Sequence, residues 1–138
     1  MEKIRYLNVD CILTSEEQLS ELVTFLNNEV TLLWNESSNG AYSVGFETKL
    51  INTQNPEEDI SKFLSILKAL PSHLAKLVQN CSEKTFDVGF ESGNTAEALD
   101  SKIDAIVIAD VAKLGFAINI RIYPLFESAK KINGVSLD

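Results

Sequence analysis

The chain contains nearly the same pentapeptide twice, as Val44-Gly45-Phe46-Glu47-Thr48 and as Val88-Gly89-Phe90-Glu91-Ser92. An aromatic residue stands two positions before each valine, so apolar and polar side chains alternate with the period of a β-strand. Both pentapeptides are therefore predicted to be strands whose aromatic and valine side chains face a shared core. Their glycines and acids fall on the opposite face, which we expect to be bare and acidic.

Each pentapeptide is followed by a loop and then by an amphipathic helix, and the two helices align, Ile60 with Ile103 and Phe63 with Ile106. Duplication of a hairpin-plus-helix unit explains this repeat, and so does similar strand chemistry that arose independently. Four identical residues and one Thr/Ser exchange do not separate the two explanations.

Length and composition are those of an ordinary globular protein. A chain of 138 residues with 45% hydrophobic and 23% charged residues can bury a core as one domain. Its formal net charge of -8 argues against a nucleic-acid binder or a polybasic membrane module, because phosphate contacts need an excess of Lys and Arg. The acidity suits a basic partner; alternatively, it serves solubility alone.

The two cysteines, Cys11 and Cys81, are far apart and in no metal-ligand spacing, so we expect two buried free thiols. No window is long and apolar enough to span a bilayer, and residues 1–5 lead directly into a strand pattern. We therefore expect a cytoplasmic protein.

The first third of the chain is predicted to form a strand, a helix and a hairpin. In the strand, over 5–13, alternation places Leu7, Val9, Cys11 and Leu13 on one face and Tyr6, Asn8, Asp10 and Ile12 on the other. Thr14 and Glu17 have capping-box spacing, which predicts a helix from there to Asn28 with the apolar stripe Leu19, Leu22, Val23 and Leu26.

The hairpin is predicted to join a short strand, Val30 to Trp34, to the first pentapeptide strand. Residues 35–40 have turn chemistry, and Asn39-Gly40 accepts positive φ at low cost. We expect Trp34 to pack in the core; the less expected alternative is that it serves as a ligand platform.

The remaining elements follow from capping and breaker signals. Asn55-Pro56 starts a helix that Pro71 ends, and a shorter helix runs from Ser72 to about Asn80. Ser101 and Asp104 have capping spacing for a helix that stops at Gly115, and residues 116–123 alternate as a strand. Residues 124–138 are predicted to be a loosely held tail.

This order of elements predicts an α+β fold over a single domain, 1–138. Helices with one apolar stripe cannot lie between two sheets, and the strands carry a polar second face. We therefore expect a two-layer sandwich, in which one mainly antiparallel sheet of about five strands has helices packed on one face.

No residue pattern predicts catalysis, a cofactor or a metal site. His73 is the only histidine and has no nucleophile beside it in sequence, and neither metal-ligand spacing nor a phosphate-binding glycine loop is present. The carboxylates Glu47 and Glu91 would form a pair for acid–base work if the two pentapeptides were neighbouring strands. We expect a protein that is not an enzyme.

The sheet face opposite the helices is the predicted partner-binding surface. Arg and Tyr side chains among its acids are of types enriched at interface hot spots. A plain solvated face is the competing interpretation, and monomer and oligomer are not distinguished. The residues predicted to face a partner are Asp10, Ser43, Glu47, Asp87, Glu91, Asn119, Arg121 and Tyr123.

From Pro56 onward the chain resembles the bacterial family catalogued as domain of unknown function 4279. The resemblance lies in Phe63-Leu64 with Leu67, the helix over 74–78, the strand over 86–90, and the helix end and strand over 114–123. The Gly/Pro-rich insert expected after the first helix is absent. The resemblance implies a bacterial cytosolic protein with no known catalytic residues. It also implies the company of polymorphic toxin systems of the contact-dependent inhibition type, in which small acidic proteins serve as immunity proteins.

These observations favour a non-enzymatic immunity protein that binds a cognate toxin domain, in particular a basic nuclease, through acidic groups. The first alternative is a small-ligand enzyme or sensor that uses the paired carboxylates. The second is a general protein-interaction module.

Overall fold

In a computed structural model the described residues are 1–125, and they form five strands and four helices. The predicted tail lies outside the described residues from residue 126 onward. The elements, in chain order, are β1 (Arg5–Ser15), α1 (Ser20–Leu26), β2 (Val30–Ser38), β3 (Ala41–Thr48), α2 (Pro56–Lys68), α3 (Ser72–Gln79), β4 (Glu83–Glu91), α4 (Ala105–Lys113) and β5 (Ala117–Tyr123).

The strands form one sheet in the order β2-β3-β1-β4-β5. Every neighbouring pair is antiparallel except β4 and β5, which are parallel because α4 carries the chain back across the sheet. The predicted α+β fold is confirmed, with a five-stranded mixed sheet. We call the sheet surface opposite the helices the open face.

The core lies between the helices and the inward side chains of the three central strands. Phe46, Phe86, Val44 and Val88 are at most 2% exposed, as the alternation of the pentapeptide strands predicted. The Phe86 ring stacks on Phe63 of α2 and on Phe116, with centroids 5.6 and 4.5 Å apart. Burying each such side chain contributes on the order of 2–3 kcal/mol, so these rings hold the two layers together.

The predicted alternation of β1 is wrong at Tyr6 and Leu7. The register with β4 shifts between Tyr6 and Asn8, so Leu7 is the extra residue of a β-bulge. Tyr6 consequently turns toward the helices, where it packs edge-on against Phe90, and Leu7 is left 37% exposed. From Asn8 onward the prediction agrees with the observed burial, since Val9, Cys11 and Leu13 are buried.

The predicted capping box of Thr14 and Glu17 does not form. Thr14 is still in β1, where it pairs with Glu83 of β4 and donates a hydrogen bond to its carboxylate. The Glu17 N–H donates to Ser15 Oγ, and α1 begins only at Ser20. The predicted stripe is correct, because Leu19, Leu22 and Leu26 are buried and Val23 packs against them.

The hairpin of β2 and β3 has a tighter turn than predicted. Asn39 and Gly40 have φ values of 53° and 80°, the conformation of a two-residue turn that matches strand twist. Residues 35–38, predicted to be part of the turn, instead pair with residues 41–44 of β3.

Of three predicted ends of the other helices, two are confirmed and one is wrong. Asn55 caps α2, since its side chain accepts a hydrogen bond from the Glu58 N–H at 3.2 Å. The Ser101–Asp104 box is wrong, because Asp104 makes no side-chain cap and its N–H donates to Glu57 of α2. Gly115 ends α4 with a φ of 79°, as predicted.

Candidate functional site

Three carboxylates stand side by side on the open face. In the register of the sheet, Asp10 of β1 lies opposite Glu47 of β3 on one side and opposite Asp87 of β4 on the other. Directly opposed residues have Cβ atoms about 5 Å apart. We call Glu47, Asp10 and Asp87 the acid row.

The two ends of the acid row are held by different groups. At the β3 end, the side-chain amide of Asn8 donates to Glu47 at 2.7 Å and to Asp10 at 3.1 Å. At the β5 end, Asp87 accepts from the Asn119 amide at 2.6 Å and from Arg121 Nε at 3.1 Å. A cation therefore neutralises only Asp87, and within residues 1–125 no ion pair reaches the other two acids.

The electrostatic strain of the row is concentrated on its central member. Partial burial, followed by the neighbouring charges of Glu47 and Asp87, raises the pKa of Asp10 to about 6, while the charge of Arg121 opposes this shift. Near neutral pH the row carries negative charge that its own surroundings disfavour.

Trp34 lies on the open face, and the prediction that it packs in the core is wrong. The register of β2 with β3 shifts between Leu32 and Trp34, which places Trp34 opposite Gly45. The indole covers that glycine so closely that a Cβ there would lie 2.6 Å from Trp34 Cζ2. Its Nε1–H donates to Ser43 Oγ at 3.1 Å. Gly45 thus makes room for a half-buried aromatic ring beside the Glu47 end of the acid row.

Gly89 makes room at the opposite side of the row. A Cβ at Gly89 would lie 3.1 Å from Asn8 Oδ1 and 3.5 Å from Tyr123 Cε2. The absent side chain lets Asn8 reach the acids and lets Tyr123 of β5 lie against the sheet. Each pentapeptide glycine is therefore covered by a side chain from a neighbouring strand.

All eight residues predicted to face a partner lie in strands of the sheet, and their side chains are on the open face, as expected. The carboxylates Glu47 and Glu91 nevertheless form no pair, because β1 runs between β3 and β4. Glu91 lies opposite Arg5 and bonds its Nε at 2.8 Å. The positions on the open face, from the β3 side to the β5 side, are Ser43, Glu47, Asp10, Asp87, Glu91, Asn119, Arg121 and Tyr123.

A second polar cluster lies on the helix side and fixes α2 to the sheet. The carboxylate of Asp59, only 4% exposed, accepts hydrogen bonds from the hydroxyls of Tyr6, Thr48 and Thr53. Burial raises the pKa of the Tyr6 phenol, and the bond to Asp59 raises it further. Three hydroxyl donors satisfy the buried acid, so this cluster has a structural role.

A groove of about 520 Å³ lies on the helix side between α2, α3 and the end of α4. Its walls include Leu67, Leu70, Val78 and Phe116, and at its rim Lys68 bonds Asp110 at 2.7 Å. It shares no residue with the open face.

The remaining reactive side chains are occupied or protected. Cys11 and Cys81 are free and buried as predicted, and burial raises both pKa values, that of Cys81 to about 11. His73 is exposed and bonds Glu21 of α1 at 2.7 Å. Among residues 1–125, no three His, Cys, Asp or Glu side chains are arranged to hold a metal ion.

None of the described helices is long and apolar enough to cross a membrane. Comparisons of the chain with family models, with curated proteins and with solved structures find no match. The resemblance to the family of unknown function 4279 therefore stays a prediction.

Proposed function

We propose that this chain is a non-enzymatic bacterial immunity protein that acts in the cytoplasm and binds a basic toxin domain through its open face. The observation that carries the proposal is the acid row, three adjacent carboxylates on the sheet face opposite the helices of residues 1–125. The basic character of the partner follows from this charge. Its being a toxin rests on the family resemblance, and its being a nuclease rests on the acidic groups, which would occlude a basic substrate-binding surface.

Uncompensated charge gives the row its affinity for a cation. Glu47 and Asp10 share one neutral donor, the Asn8 amide, and contact no cation of the described chain. A Lys or Arg side chain of a partner at this end would relieve the repulsion between them. Close charge pairs at protein interfaces contribute on the order of 1–3 kcal/mol each and speed encounter.

The surroundings of the row favour a protein partner over a small ion. Trp34 flanks one end and Arg121 with Tyr123 the other, and these are the three residue types most enriched at hot spots. All of them are carried by strands of one sheet, so little conformational freedom is lost on binding. A surface carried by the strands of one sheet suits the occlusion of a partner surface.

A small-ligand enzyme or sensor is the second candidate, because a carboxyl whose pKa is raised to about 6 is also suited to acid–base work. This candidate now rests on Asp10 and Glu47, since the structure separates Glu47 from Glu91. It predicts that a ligand binds without any protein partner.

The test begins with the product encoded immediately upstream. Its C-terminal domain, made inactive, is co-purified with this chain, and the dissociation constant is measured from about 50 to about 500 mM salt. We expect nanomolar binding that weakens as salt rises. Asp10→Asn combined with Glu47→Gln should weaken it at least about tenfold.

Glu97→Gln supplies the matched control, because that acid is exposed and pairs with Lys3 away from the row. Failure of the two chains to associate would reject the immunity role. Binding that the double variant leaves unchanged would reject the open face and turn attention to the helix-side groove.

A further inference from the structure

The two edges of the sheet are protected unequally. β2 has a bulge after Leu32 and carries Glu36, two features by which natural edge strands avoid pairing with other chains. β5 pairs with β4 through all seven residues without a register shift. Its one charged residue, Arg121, is held by Asp87 of its own sheet.

The β5 edge also exposes apolar side chains. Ile120 and Ile122, on the helix side of the strand beside Val88 and Phe90, are 55% and 64% exposed. Asp110 of α4 forms an ion pair with Lys68 of α2. Helical spacing places Ile108, which is 48% exposed, on the other flank of α4. An apolar strip thus borders an open strand edge, and no strand of residues 1–125 covers it.

The sequence of β5 is complementary to itself in one antiparallel register. Pairing about Ile120 overlaps the whole strand and sets Ile118 opposite Ile122 on the helix side, with Asn119 opposite Arg121 on the open face. If the register moves by two residues in one direction, the two copies of Arg121 lie opposite each other. If it moves by two residues in the other direction, Ile122 has no residue of β5 opposite it. Full overlap and charge both select the first register.

We propose that the chain forms a two-fold homodimer in which β5 pairs antiparallel with β5 of a second copy. Such an interface is self-complementary and closes after two subunits. It joins two five-stranded sheets into one and leaves both acid rows uncovered on the same side. The dimer does not depend on the proposed toxin partner.

Salt separates this association from binding to a basic protein. Two copies of a chain with net charge -8 repel each other, so the dimer tightens as ionic strength rises, whereas binding of a basic partner weakens. Sedimentation of the full chain from about 1 to about 500 µM, at low and high salt, shows whether salt strengthens or weakens the dimer.

Charge placed in the strip is the first variant test. Ile122→Lys should weaken the dimer at least about tenfold, because the new ammonium groups would lie in an apolar seam. Ile106→Lys is the control, since Ile106 is 78% exposed and helical spacing puts it on the flank of α4 that carries Asp110 and its bond to α2. Circular dichroism confirms that both variants fold.

Cross-linking tests the register. Ile120→Cys should form a disulfide-linked dimer under mild oxidation, because the two copies of residue 120 face each other within disulfide reach. Leu33→Cys, at the β2 edge and 40% exposed, should not, and the native thiols are buried. A monomer at every concentration and salt, a dimer that only Ile106→Lys weakens, or equal cross-linking by both cysteine variants would overturn the proposal.

Discussion

The two pentapeptides have nearly the same letters and different neighbours. Both lie beside β1 with valine and phenylalanine turned to the helices, yet Cys11 of β1 faces Phe46 on one side and Phe86 on the other. The repeat spacing of 44 residues would align Phe46 with Phe90, so the strands are offset by four residues, roughly 13 Å. In the two pentapeptides, local pattern thus sets the face of each side chain, and the register of the sheet sets its partners.

The largest expected difference between the pentapeptides is in their phenylalanines. Phe46 is 2% exposed at the centre of the core, whereas Phe90 is half-buried near the end of β4. We expect Phe46→Ala to lower the free energy of unfolding by about 3–4 kcal/mol and Phe90→Ala by about 1–2 kcal/mol. Urea denaturation of both variants measures this, and equal losses would contradict the offset.

The glycines should differ next. Gly45→Ala forces its Cβ into the Trp34 ring, and we expect a loss of about 1–3 kcal/mol with a change in the fluorescence of this single tryptophan. Gly89→Ala meets the end of the Asn8 side chain at 3.1 Å, which can move, so its effect should stay within about 0.5 kcal/mol.

Trp34→Ala combined with Gly45→Ala is the control for that comparison. Removing the ring removes the clash, so Gly45→Ala should cost little in the Trp34→Ala background. A loss of the same size in both backgrounds would mean that the strand needs glycine at position 45 for another reason.

Asp10 lies between the two pentapeptide strands and should report their combined charge. Its pKa is raised from 3.8 to about 6 in the folded chain, so the folded state binds more protons than the unfolded state between those values. The contribution of Asp10 to the free energy of unfolding should therefore fall as pH rises from about 4 to about 6.

Asp10→Asn removes this dependence. Above pH 6 we expect the variant to be more stable than the wild type by about 1–2 kcal/mol, after allowance for solvent screening, and at pH 4 to have no such advantage. Urea denaturation at pH 4, 5, 6 and 7 tests it. A variant that is less stable than the wild type at pH 7 would show that the carboxylate is favourably bound.

The sequence predicted the fold class and the inward face of each pentapeptide because both depend on local period. It misplaced Leu7 because bulges depend on the neighbouring strand, as at Tyr6 and Asn8. The position of Trp34, in contrast, could have been predicted from the sequence. Once Asn39-Gly40 is a two-residue turn, counting outward pairs Ser38 with Ala41 and Trp34 with Gly45. Treating residues 35–38 as loop hid that register.

The acid row was only half predictable. Alternation placed Asp10, Glu47 and Asp87 on one face, but it could not tell that β1 is central and brings all three together. The pairing of Glu47 with Glu91 assumed that the two pentapeptides were neighbours. The strand order that excludes it is set by the whole core, not by any one segment.

The smallest expected difference is between the two glutamates, whose substitutions should change stability in opposite directions. Glu47→Gln keeps an acceptor for Asn8 and removes one repulsive charge from beside Asp10, so stability at pH 7 should stay level or rise by a few tenths of a kcal/mol. Glu91→Gln breaks the pair with Arg5, whose side chain is 64% exposed, and should lower stability by about 0–1 kcal/mol.

Carbon-detected NMR titration of the Asp10 carboxyl gives the sharper measurement. Its pKa should move down toward its ordinary value in Glu47→Gln and stay unchanged in Glu91→Gln, because only the first glutamate stands in the row. An equal shift in both variants would mean that charge across the whole face, and not the register of β1 with its neighbours, sets the proton affinity of Asp10.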